Sequence, residues 1–114
     1  MSFLSTLFKS KKPQSDTIKV LETSTFATAI TGNKVQLVDV RTSNEYRVGH
    51  IKNAMNIDFF REGDFRKAFE KMDKEKPVYI YCRSGARSKK ASNRLADMGF
   101  SEIYDLKGGY LRWG

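Results

Sequence analysis

Two short stretches, Val35-Gln-Leu-Val-Asp-Val40 and Pro77-Val-Tyr-Ile-Tyr-Cys82, are rich in β-branched or aromatic residues and apolar on both faces. Runs of that length and kind mark strands buried on two sides, as in a parallel sheet. Weaker strand patterns occupy Ile18–Leu21, Ala54–Ile57 and Glu102–Leu106. Between them the apolar period changes to that of a helix. Phe65, Phe69 and Met72 recur at i, i+4 and i+7, as do Ala91, Leu95 and Met98 before Gly99. Ser24 is placed to cap a helix that carries Phe26, Ala29 and Ile30 and stops at Gly32. Thr42 and Glu45 have the spacing of a capping box, predicting a short helix that ends at Gly49.

Strands that alternate with helices in this way predict an α/β sandwich: a mostly parallel five-stranded sheet with helices on both faces. No segment repeats at a fixed period, which excludes solenoids and propellers. At 114 residues there is room for one domain. Its expected extent is 17–114, with residues 1–16 as a flexible N-terminal tail. Within that tail Phe3, Leu4, Leu7 and Phe8 would share one helix face ahead of Lys9, Lys11 and Lys12, a pattern able to touch a membrane or a partner. A frayed end is the favoured reading. The start has the features of neither a secretory signal nor a spanning helix, so a soluble, cytoplasmic protein is expected.

Cysteine usage narrows the chemistry. One cysteine, Cys82, and one histidine, His50, leave no paired thiols and no clustered ligands, so disulfides, zinc ribbons and CxxC redox motifs are excluded. No metal and no cofactor is expected. The net charge of +8 is unevenly spread. Arg83, Arg87, Lys89, Lys90 and Arg94 against Asp97 place half of the excess within residues 77–98, around the cysteine. The cations form no long run and the aromatics are not interleaved with them, which disfavours nucleic acid. A positive field around a nucleophile suits a small anionic substrate.

The segment Cys82-Arg-Ser-Gly-Ala-Arg-Ser88 leaves the most hydrophobic strand and enters the Ala91/Leu95/Met98 helix. Ligands of open α/β sheets bind beyond the carboxyl ends of the strands, which is where Cys82 falls. A compact turn here, with Gly85 free to take conformations closed to other residues, would aim backbone N–H groups inward as an anion nest. The helix N-terminus adds its positive dipole end and the two arginines add fixed charge. Cys82 should therefore be substantially thiolate near neutrality. Cysteine-dependent phosphatases use a similar strand-loop-helix, but with one residue more than the four that separate Cys82 from Arg87. The shorter loop closes a narrower ring, with room for an extra sulfur above Cys82 rather than a phosphoryl group.

At this point the chain resembles the rhodanese-like domain family from about Ile18 onward. The likeness rests on Leu37-Val-Asp-Val-Arg41 with Glu45-Tyr-Arg-Val-Gly-His-Ile51 and Ala54–Ile57, on the Cys82–Ser88 loop, and on Leu106-Lys-Gly-Gly-Tyr-Leu-Arg-Trp113. It implies a single-domain thiosulfate sulfurtransferase. Cys82 would be the nucleophile and persulfide carrier. The loop residues Arg83, Ser84, Gly85, Ala86, Arg87 and Ser88 would bind substrate, their amides holding the persulfide and the side chains of Arg83 and Arg87 the donor's negative charge. Asp39 and Arg41 could lie beside the loop, or form a charge pair that braces the Thr42 turn. His50 reads as structural, Gly108 and Gly109 as a turn that packs Tyr110 and Trp113, and Lys89 and Lys90 as a solvated face able to steer anions.

The resemblance also implies partners: a small anionic sulfur donor such as thiosulfate, a thiol or cyanide acceptor, and a thioredoxin-like or desulfurase protein, acting on a monomer. Two alternatives remain at this stage. One is a non-catalytic binding module built on the same fold. The other is a small cysteine-dependent phosphatase or arsenate-handling enzyme.

Overall fold

The computed structural model describes residues 14–32 and 34–114. The Phe3/Leu4/Leu7/Phe8 pattern lies outside the described residues. A helical turn, α1 (Gln14–Thr17), leads into β1 (Ile18–Leu21), α2 (Thr23–Ala29), β2 (Gln36–Asp39), α3 (Ser43–Val48) and β3 (Met55–Asn56). The chain continues through α4 (Glu62–Glu70), β4 (Val78–Tyr81), α5 (Ala86–Asp97) and β5 (Ile103–Leu106), then a 3-10 turn at Tyr110–Arg112. α1 thus straddles the expected boundary at residue 17.

The five strands form one sheet in the order β1-β5-β4-β2-β3, and all four pairings are parallel. From β2 the chain moves outward to β3, then returns across β2 to β4 and continues to β5 on the other side. The reversal puts a topological switch point between the carboxyl ends of β2 and β4, where a crevice opens in such sheets. Arg41 and Cys82 both lie just beyond those ends.

The side-chain period of two divides the core into two layers. Val38, Val78, Ile80, Cys82 and Ile103 face Phe65 and Phe69 of α4 and Ala91 and Leu95 of α5. Leu37, Tyr81 and Leu106 face Phe26 of α2, with Tyr46 of α3, Tyr110 and Trp113 packed alongside. Phe65 and Phe69 are wholly buried, and each contributes roughly 1.5–3 kcal/mol by leaving water. The period change from two to about three and a half residues is therefore the sequence signature of this packing.

Two local expectations need correction. Ser24 does not cap α2; the N-cap is Glu22, in extended conformation and without a side-chain cap bond. The strand runs to Leu21, so only Glu22 remains to make the turn, and its carboxylate pairs instead with Lys107 at 3.1 Å. Helix α4 closes at Glu70, before Met72, although Met72 still packs against the core. The Thr42/Glu45 capping box is present as expected, with both reciprocal bonds, and Gly49 ends the helix.

Candidate active site

Cys82 follows β4, and the turn after it is held from two directions. Gly85 adopts the left-handed conformation, φ 116° and ψ −19°, as N-cap of α5. A Cβ there would meet nothing within 4 Å, so it is the backbone conformation rather than space that calls for glycine. From beneath, the turn after β5 clamps the loop: Tyr110 N donates to Cys82 O at 2.8 Å and Leu111 N to Arg83 O at 3.0 Å. Gly109, with φ 63°, lies so close that a Cβ would come within 2.6 Å of Cys82 O and 2.5 Å of Arg83 O. The glycine pair read from the sequence as a packing turn is also the floor of the loop.

The consequence is a sulfur met by two backbone donors. Gly85 N–H points at Cys82 Sγ at 3.0 Å and Ser88 N–H at 3.3 Å, while the Ser88 hydroxyl stands 3.4 Å away. Cys82 is 1% exposed, whereas Arg83, Ser84 and Ala86 are exposed and Gly85 and Arg87 half-buried. Two inward N–H groups and the N-terminal end of a 12-residue helix favour negative charge on the enclosed atom.

The arginines part company. Arg87 forks onto Glu45, Nη1 to Oε1 at 2.8 Å and Nη2 to Oε2 at 2.9 Å, and lies over the Phe60 ring. The Arg87 fork, aided by hydrogen bonds from Thr42, holds the Glu45 carboxyl down to about 2. Much of the charge expected to meet a donor is thus answered within the chain. No ion pair among the described residues involves Arg83. Glu45 is the site-region residue that sequence reasoning missed. Its capping-box role was visible, but its second role depends on α3 and the Cys82 loop meeting above neighbouring strands.

Asp39 and Arg41 form a charge pair that braces the strands beside the loop. Asp39 Oδ1 accepts from Arg41 N and Nε, each at 2.9 Å, and Oδ2 accepts from Arg41 Nη2 at 2.6 Å and from Tyr81 Oη at 2.9 Å. Arg41 also donates to Gly49 O at 2.7 Å and stacks on Tyr110, 4.4 Å from the ring centre. Tyr81, the residue before Cys82, is thereby anchored to β2. His50 is exposed; its Nδ1 is 2.8 Å from Tyr46 O and its ring stacks on Tyr46 at 3.7 Å. It serves the α3 end, in keeping with its structural reading. Trp113 packs edge-on to Phe26.

Comparison with known proteins agrees with this geometry. The model of the rhodanese-like domain matches residues 22–114. Thiosulfate sulfurtransferase GlpE of Coxiella burnetii is 37% identical over 79 residues, which cover 69% of this chain and 71% of that protein. YqhL of Bacillus subtilis is 42% identical over 81 residues, 71% of this chain and 62% of YqhL. The tRNA uridine(34) hydroxylase of Cytophaga hutchinsonii is 36% identical over 104 residues, 90% of this chain but only 33% of the hydroxylase. The chain therefore spans less than two thirds of the last two relatives. Among solved structures, a rhodanese-like domain protein from Staphylococcus aureus superposes with a TM-score of 0.72 at 30% identity, covering 84% of this chain and 91% of that one. A five-stranded parallel sheet, a cysteine loop at its switch point and a family match over residues 22–114 lead to one conclusion: the chain belongs to the rhodanese-like domain family.

Proposed function

We propose that this domain is a sulfurtransferase that carries sulfane sulfur as a persulfide on Cys82. The observation that carries the reading is the pair of N–H groups, Gly85 and Ser88, directed at a sulfur enclosed at a switch point. In the first step the Cys82 thiolate attacks the outer sulfur of thiosulfate. The S–S bond of the donor breaks and sulfite departs with its electron pair, leaving Cys82–S–S⁻. The same N–H groups that favour the thiolate favour the charged persulfide. Arg83, exposed beside the loop, is the cation placed to attract the donor, with Arg87 contributing less because Glu45 answers its charge. A thiol or cyanide then attacks the outer persulfide sulfur and returns Cys82, a double displacement with ping-pong kinetics. Residues 17–114 form the working unit in this reading, and a reducing cytoplasm suits its thiolate.

The test is direct. Incubation of the full chain with thiosulfate should add the mass of one sulfur atom to the protein, and the adduct should vanish on cyanide addition as thiocyanate forms. Cys82→Ser should show neither. An unmodified wild-type mass together with no thiocyanate would overturn the reading and favour a non-catalytic module. Cys82-dependent hydrolysis of an aryl phosphate would favour the phosphatase alternative.

A further inference from the structure

On the α5 side of the sheet, away from the brace, β1, β5 and α5 enclose a cavity of about 420 Å³. Ile18 and Val20 give it an apolar side, and its size falls within the range of small-molecule sites. Two buried side-chain oxygens on residues that line it have no hydrogen-bond partner: Asp105 Oδ1 and Ser92 Oγ, on residues only 4% and 1% exposed. Lys89 from α5 and Lys107 from the turn after β5 supply positive charge to the same wall. Lys89 has no ion pair among the described residues, and the pairing of Lys107 with Glu22 is an exposed one.

A buried carboxylate oxygen without a partner is costly, and burial pushes the Asp105 carboxyl up to about 6, with the Ser88 side chain opposing the shift. A plain cation would answer Asp105 but would meet Lys89 and Lys107. A plain anion would meet the reverse. Only a ligand with both charges and an apolar body answers every group that lines the cavity.

We propose that this cavity binds a small zwitterion of amino-acid type, its ammonium on Asp105 and Ser92, its carboxylate on Lys89 and Lys107, and its side chain along Ile18 and Val20. The site is separate from the sulfur chemistry and stands whether or not Cys82 carries a persulfide. It does adjoin the loop, since Gly85, whose N–H holds the sulfur, lines the cavity as well.

The experiment is a titration of the full chain, followed by backbone amide NMR shifts, with three probes of matched length: L-norleucine, n-hexylamine and hexanoate. L-Norleucine should bind saturably, shifting the amides of Gly85, Ser92, Asp105 and Gly108, and at least tenfold more tightly than either single-charge probe. Asp105→Asn, which keeps the shape and removes the charge, should weaken it at least tenfold. Lys89→Ala should weaken it several-fold. The charged groups around the cavity are Asp105 from β5, Lys89 from α5 and Lys107 from the following turn, and burial raises the Asp105 carboxyl to about 6; β1 and β4 place Val20 and Ile80 in register beside it. Affinity should therefore rise roughly tenfold from pH 5 to pH 7 as the carboxyl ionises. Absence of saturable L-norleucine shifts, equal binding by Asp105→Asn, or equal binding of hexanoate would each overturn the proposal.

Discussion

Asp39 and Asp105 are both buried aspartates on strands of one parallel sheet, and they are treated in opposite ways. Asp39 is fully enclosed, yet five hydrogen bonds from Arg41 and Tyr81 reach its two oxygens, the shortest of them being also the Arg41 ion pair. Asp105 is nearly as buried and has an oxygen with no partner. A satisfied buried carboxylate is scaffold: here it ties β2 to β4 and sets the entry angle of the chain into the Cys82 loop. An unsatisfied one opposes folding and survives where something outside the chain answers it. The difference separates the part of this molecule that holds the loop from the part that faces a ligand.

The comparison can be broken most sharply at Asp39. Asp39→Ala should destabilise the chain by about 3–5 kcal/mol in urea unfolding, because it strands the buried Arg41 guanidinium. A loss below one kcal/mol would mean that the brace is dispensable. Asp105→Asn should act with the opposite sign. Its carboxyl is raised by burial from 3.8 to about 6. Between those values the folded chain keeps a proton that the unfolded chain has released, so stability is full below about pH 4 and falls as pH rises through 6. At pH 8 the asparagine variant should be more stable than the parent by about 1–3 kcal/mol, a gain that disappears at pH 4. Thermal unfolding across that range checks both the sign and the window. The smallest effect is expected at Tyr81, whose phenol burial pushes up, so that it remains a donor. Tyr81→Phe removes a bond to Asp39 and the acceptor of Ile51 N, and should cost about 1–2 kcal/mol while leaving the Asp39–Arg41 pair in place.

Much of the fold was legible in the chain. Two apolar runs, three weaker ones and two helical stripes were enough for a five-stranded parallel sheet with helices on both faces, because each signal is local and set by a period. The Cys82 loop was legible for the same reason: strand, sulfur, glycine and helix start are contiguous. The capping box at Thr42 is local and forms as its spacing predicts, but Ser24 does not cap its helix, since the end of β1 decides where the turn can fall. Asp39 and Arg41 are readable in the sequence as a charge pair near the loop, whereas their hold on Tyr81 across the sheet and on Gly49 after α3 is visible only in three dimensions.

What the amino-acid order determined by itself is what neighbours along the chain can settle: which segments are strands, which are helices, and that one sulfur sits in a glycine turn between them. Tertiary structure alone decided which distant residues share a space. Parallel pairing of β2 with β4 brought Glu45 to Arg87, pairing of β5 with β4 slid Gly109 beneath the loop carbonyls, and the β1–β5 edge left Asp105 facing a cavity. Those meetings span tens of residues, and no local period encodes them.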